Sequence, residues 1–173
     1  MVQFDTQNPY EVIHSFKPIE KVKKLTRETY VPRAMTPLLD AMGRGINDLE
    51  KTLSDMKEDD RPDKVVMVVI TDGQENSSQE FRKDQIVKMI KEKQKKNDWQ
   101  FVFLSADLDA IQDAGDYGFH QASTMAFDKD GVGISNAFLS LSESVMRYRK
   151  NKSGNVSFSE DDRRKQKSEK KRK

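Results

Sequence analysis

The sharpest mark in the hydrophobic pattern of this chain is a run of six consecutive apolar residues, VVMVVI at 65–70. A strand that is apolar at every position is buried on both faces, as in a parallel sheet covered by helices. The run stops at Thr71-Asp72-Gly73. Residues 99–105 read as a second buried strand and 122–127 as a third, weaker one. Helical spacing fills the intervals. Leu38, Met42, Ile46, Leu49, Leu53 and Met56 predict a long amphipathic helix that ends near Lys57. Thr36-Pro37 is a good start for it, with a hydroxyl to cap free N–H groups and a proline suited to the first helical position. Gly43 and Gly45 inside this helix cost roughly 1 kcal/mol each, which a close approach to a sheet would explain. Residues 79–96 predict a second helix with Phe81, Ile86, Met89, Ile90 and Lys93 on one side. A short helix follows at 108–114, closed by Gly115. The last spans 134–148, with Ile134, Phe138, Leu141, Val145 and Tyr148 facing inward.

The beginning of the chain reads differently. A short apolar stretch, 1–4, meets a polar turn at 5–9, and residues 10–16 form a second strand ended by Pro18, so a hairpin is expected. Residues 18–35 read as connecting loop with one helical turn. Beyond the hairpin, helix and buried strand alternate. That order implies an α/β fold with a mostly parallel sheet, helices on both faces and right-handed crossovers. Residues 1–148 form the expected domain. From 149 to 173 the chain is polar and basic, with only Val156 and Phe158 as a large apolar pair, and is read as a disordered tail.

Charge changes the picture at one point. The total is close to balance, with 31 Lys and Arg against 29 Asp and Glu. The balance hides an acidic body and a basic end. There is no cysteine, so disulfides, thiol nucleophiles and thiolate zinc sites are excluded. A reducing, cytoplasmic setting suits that composition. No apolar run is long enough to cross a bilayer as a helix, and no signal peptide is visible at Met1.

Four segments carry a family resemblance. VVMVVITDG at 65–73 resembles the strand of a von Willebrand factor type A (vWA) domain that ends in a metal-site aspartate. AMTPLLDAM at 34–42 resembles the family's loop with a metal-site threonine at a helix start. WQFVFLSADLDA at 99–110 is similar to the next strand and loop of small bacterial and phage members, and Val2–Asp5 with the following strand resembles the preceding hairpin. The resemblance covers residues 1–148. It implies a doubly wound, Rossmann-like sheet with a metal site, MIDAS, at the carboxyl ends of central strands, where open α/β sheets place ligands. It further implies that Thr36 coordinates Mg²⁺ through its hydroxyl and that Asp72 holds the ion through water. Mg²⁺ wants oxygen ligands and keeps several waters, so a carboxylate from a partner protein would complete the shell. The implied role is protein–protein interaction or scaffolding, without catalysis.

The pattern is incomplete. The family's Asp-x-Ser-x-Ser loop, which follows its first central strand, is absent. Asp5-Thr6 is the nearest candidate and sits in the hairpin turn. Ala34 stands where a glycine is common, and Ser105 where small relatives carry glycine. The expectation is a domain truncated at its N-terminus, opening in its second strand. Without the first strand, residues 65–70 lose a neighbour, and an apolar unpaired edge invites another chain. The alternatives are a separate piece supplying the strand, or a closed-up sheet with the hairpin directly beside residues 65–70.

The remaining candidates read as structure. His14 and His120 share no metal spacing. Asp107, Asp109, Asp113 and Asp116 surround a short helix without an EF-hand pattern. Gly131-Val132-Gly133 is too short for a phosphate loop, and no Ser/His/Asp set has supporting context. Asn76-Ser77-Ser78 and Asn155-Val156-Ser157 match the glycosylation pattern without any sign of secretion. Two other readings stand beside the interaction module. One is an inactive fragment that binds no metal. The other is a nucleic-acid-associated protein acting through residues 149–173, since Lys and Arg neutralise phosphates with little sequence preference.

Overall fold

A computed structural model describes residues 1–31, 33 and 35–166. The chain is mixed α/β. Strands β1 (Val2–Gln3) and β2 (Glu11–Val12) form an antiparallel hairpin, and helix α1 (Leu38–Asp55) follows. Then come β3 (Val66–Thr71), α2 (Lys83–Asn97), β4 (Gln100–Ser105), α3 (Leu108–Asp116), β5 (Thr124–Ala126), α4 (Gly131–Arg149) and α5 (Glu160–Lys165). Strands β3, β4 and β5 form a parallel sheet in that order. Among the described residues, no helix is long and apolar enough to cross a membrane.

Alternation along β4 divides the interior into two clusters. Phe101 and Phe103 join Leu38, Met42, Ile46, Ile86, Ile90 and Phe119 on one side of the sheet. Val102 and Leu104 join Met125, Ala137, Tyr148, Val156 and Phe158 on the other. This is the period-2 geometry of a pleated strand with both faces covered. The Phe103 and Phe119 rings meet edge-on at 5.2 Å between centroids, a favourable arrangement of their quadrupoles.

Four expectations are corrected. Strand β3 lies at an edge, as the absence of a first strand implies, with β4 its only partner among the described residues; it feeds both clusters, but it is not buried at every position as the apolar run predicts, because Ile70 is 37% exposed. The hairpin does not fill that edge, because it forms a sheet of its own. It stands under α1 instead, where Tyr10 and Met67 close on Gly45 and the Phe81 ring lies against Gly43. A side chain at Gly43 would collide with the Phe81 ring and one at Gly45 with the end of Met67, so both glycines serve close approach.

The inward face of α4 is also different. Gly133, Ala137, Ser140, Ser144 and Tyr148 are buried, whereas Ile134 is 42% and Phe138 49% exposed. Small residues let the helix sit close on the sheet, and that rotates the larger apolar side chains to its flank.

Finally, the chain does not leave the fold at residue 149. Val156 and Phe158 are buried in the second cluster, and the Phe158 amide donates to the Ala122 carbonyl at 2.9 Å. Ser159 opens α5 with a reciprocal cap, its hydroxyl and amide both engaged by Asp162. The buried Gln166 side chain donates to Ser140 Oγ at 3.2 Å. The Arg163 guanidinium donates to the Thr124 and Gln121 carbonyls, so part of the basic end serves packing rather than a solvated tail. The rest of the expected tail, residues 167–173, lies outside the described residues, as does the Ala34 departure.

Candidate functional site

The carboxyl ends of β3 and β4 carry the residues in question, and two buried or half-buried carboxylates organise them. Asp40, in the first turn of α1, is almost fully buried. Its oxygens accept three backbone N–H bonds, from Gln79 at 2.8 Å and from Glu80 and Phe81 at 2.9 Å each. Glu75 returns the tie from the other side. It accepts from Leu39 N at 2.9 Å, at the open end of α1, and from Ser77 N, Ser78 N and Ser78 Oγ. The Ser78 hydroxyl in turn accepts from Asp40 N at 3.1 Å. Free N–H groups at a helix start favour an anionic acceptor. Glu75 supplies one, so Thr36 is not the cap that the Thr36-Pro37 pattern predicts. Pro37 occupies the cap position and the helix begins at Leu38.

This interlock fixes the threonine loop against the aspartate loop. Thr36 N donates to Asn76 Oδ1 at 2.8 Å, and Asn76 N donates to Thr36 O at 3.3 Å. Thr36 Oγ1 lies 3.2 Å from where a Cβ on Gly73 would stand. The two sequence-predicted loops are therefore brought together. Thr71 closes the turn between them, its hydroxyl donating to Gly73 O and accepting from Gly73 N.

Asp72 is turned outward, with its side chain 68% exposed, and its carboxylate holds the Lys129 ammonium at 2.8 Å. The hydrogen bond and charge of Asp72 raise the Lys129 pKa above its ordinary value, with a further contribution from Asp107. Lys129 reaches the site because Asp130 caps the start of α4, accepting from Val132 N and Gly133 N. Asp107 does the same for α3, accepting from Asp109 N and Ala110 N. Those bonds, the Ala110 amide first, hold its carboxyl below the usual range. Gln74 bridges Asp107 and Asp109 across the rim. Ser105 is fully buried and accepts from Asp107 N at 3.0 Å.

Asp5, the stand-in for the missing loop, lies elsewhere. It is buried in the hairpin turn, accepts from Gln7 N and Asn8 N, and pairs with Arg33 at 2.9 Å. The His14 ring donates from Nε2 to the Lys23 carbonyl at 3.2 Å, away from this rim.

A hydroxyl and a carboxylate are hard oxygen donors of the kind Mg²⁺ takes, but an octahedral ion wants about six oxygens. Here the carboxylate already holds an ammonium. No group of three or more His, Cys, Asp or Glu poised for a metal occurs among the described residues. The donor chemistry suits a loosely held, largely hydrated ion and not a closed cage. The residues not foreseen are Asp40, Glu75, Asn76 and Lys129. Their type gives no signal, because acids, amides and lysines at loop positions are usually solvated. No protein-family model, curated protein or solved structure matches the chain.

Proposed function

We propose that this chain is a protein-interaction module of the vWA kind, a doubly wound α/β fold with an incomplete MIDAS at the carboxyl ends of its strands. The observation that carries the reading is the adjacency of Thr36 to the Asp72-Gly73 turn. Residues about forty positions apart by sequence converge there through bonds that use neither the Thr36 hydroxyl nor the Asp72 carboxylate, the latter held by Lys129 alone among these contacts. A module of this kind engages a partner at the rim formed by the 35–37, 72–76 and 107–109 loops. Thr36 and Asp72 would hold Mg²⁺, and the ion would supply positive charge for a partner carboxylate. Lys129 supplies such charge in its absence. The cysteine-free sequence suits a cytoplasmic setting.

The test is calorimetric titration of the protein with Mg²⁺ and with Mn²⁺. Weak, saturable heat is expected, lost in Asp72→Ala. It should grow stronger in Lys129→Met, which removes the ammonium that competes for the carboxylate. No heat in the wild type or in Lys129→Met would remove the metal from the reading.

A further inference from the structure

The unpartnered edge of β3 has a defined donor and acceptor pattern. The Val65 carbonyl accepts from Gln100 N and the Thr71 carbonyl from Ala106 N, so the odd-numbered residues face β4. In a parallel strand the N–H and C=O of one residue point the same way. The backbone groups of Val66, Val68 and Ile70 therefore point away from the sheet, where no strand among the described residues meets them. The edge carries none of the charged residues, prolines or bulges that normally block strand addition.

Both sides of this edge are built. On one, α1 stands over β3, with Tyr10 of the hairpin and Met67 of β3 meeting at Gly45. On the other is α4, whose flanks can be assigned. Asn136 donates to the Lys165 carbonyl and Ser140 accepts from Gln166, so α5 lies along that flank. Arg163 ties α5 to Thr124 of β5. Ile134, Phe138, Leu141 and Val145 recur at helical spacing on the opposite flank, toward β3. The Lys64 ammonium bonds the Tyr148 carbonyl and so anchors the end of α4 at the start of β3. Val66, Val68, Leu141 and Val145 pack against the same cluster, while Ile70, Ile134 and Phe138 continue that surface into solvent.

We infer that the β3 edge is an acceptor slot for a single extended strand supplied in trans, uncharged, free of proline and apolar on both faces. A second copy of this chain is a poor occupant. The exposed parts of Ile70, Ile134 and Phe138 amount to roughly 250 Å², against about 800 Å² per partner for a standard interface. A lone strand needs less, because its recognition comes from main-chain hydrogen bonds with side-chain pockets alongside. This inference is independent of the metal loops.

The probe is a dye-labelled peptide of alternating valine and phenylalanine between lysine pairs, titrated with the full chain and read by fluorescence anisotropy. Saturable binding is expected. It should fall at least tenfold when alternate peptide nitrogens are methylated, and likewise in Val68→Pro, which removes an outward-facing N–H and none of the hydrogen bonds to β4. It should weaken several-fold in the surface variant Phe138→Glu, which leaves the strand intact. Absence of binding overturns the proposal. So does binding indifferent to N-methylation, which is apolar adhesion without strand pairing. A dimer in sedimentation that Phe138→Glu dissolves would make the second copy the occupant and overturn it equally.

Discussion

Thr36 and Asn76 exchange hydrogen bonds across two loops, amide to side-chain oxygen at 2.8 Å in one direction and amide to carbonyl at 3.3 Å in the other. The pair holds the threonine loop against the turn that carries Asp72. Asn76→Ala removes the shorter bond and leaves the Thr36 amide to solvent. The expected cost is about 1 kcal/mol, read as a shift in the urea midpoint. Amide exchange at Met35 and Thr36 should speed up well before the core exchanges. Unchanged protection there would show that the loop is held by other contacts.

Asp40 carries more, because its buried carboxylate satisfies three amides in the segment leading to α2. Asp40→Ala orphans them, and a loss of about 2–3 kcal/mol is expected. Asp40→Asn keeps one oxygen acceptor and should fall between the two. Equal stability of the alanine variant and the wild type would rule out this role.

Gly43→Ala sets two effects against each other. Helix propensity favours alanine by about 1 kcal/mol, but the Phe81 ring occupies the space of the new methyl. Overpacking costs about 1–3 kcal/mol, so net destabilisation is expected. In a double-mutant cycle with Phe81→Ala, the alanine at 43 should become neutral or stabilising. A penalty that persists without the ring would point to a different cause.

Phe158→Ala should cost about 3 kcal/mol or more, the loss typical of a buried phenylalanine. Removal of residues 150–173 should be worse, since Val156 leaves with it. A disordered tail would give no thermal shift in either experiment.

Acid should destabilise the fold through Asp5 and Asp162. Burial pushes the Asp5 carboxyl up, but the Asn8 and Gln7 amides and Arg33 outweigh it and leave the pKa lowered. Asp162 is lowered likewise: burial opposes the shift, and the Ser159 hydroxyl and amide overcome it. A depressed folded-state pKa gives stability that is present above the unfolded value, about 4, and is lost as pH falls through the folded one. The urea midpoint should hold steady above pH 5 and fall below about pH 4. The fall should be shallower in Asp5→Asn. An identical slope in that variant would exclude Asp5 as a contributor.

Periodicity along the chain determined helices α1 to α4 and the three strands of the parallel sheet, because spacings of 3.6 and 2 are local properties of the backbone, whereas α5 and the order of the strands in the sheet were not legible there. The vWA resemblance of two short segments, not periodicity, singled out Thr36 and Asp72, whose loops the fold brings side by side. Tertiary structure alone decided the rest. Whether VVMVVI is a central or an edge strand depends on what lies beside it, and an apolar run is the same in either place. Which flank of α4 turns inward was set by small residues that allow close approach, and hydrophobicity counts them as neutral. Val156 and Phe158 are two apolar residues in a charged stretch, too few for a periodic signal, yet enough to bury once the Ser123 and Ser144 hydroxyls hold the Val156 and Ser157 carbonyls. The carboxylates of Asp40 and Glu75 look solvated in sequence. Only folding shows that their partners are backbone amides about forty residues away, a relation without any local signature.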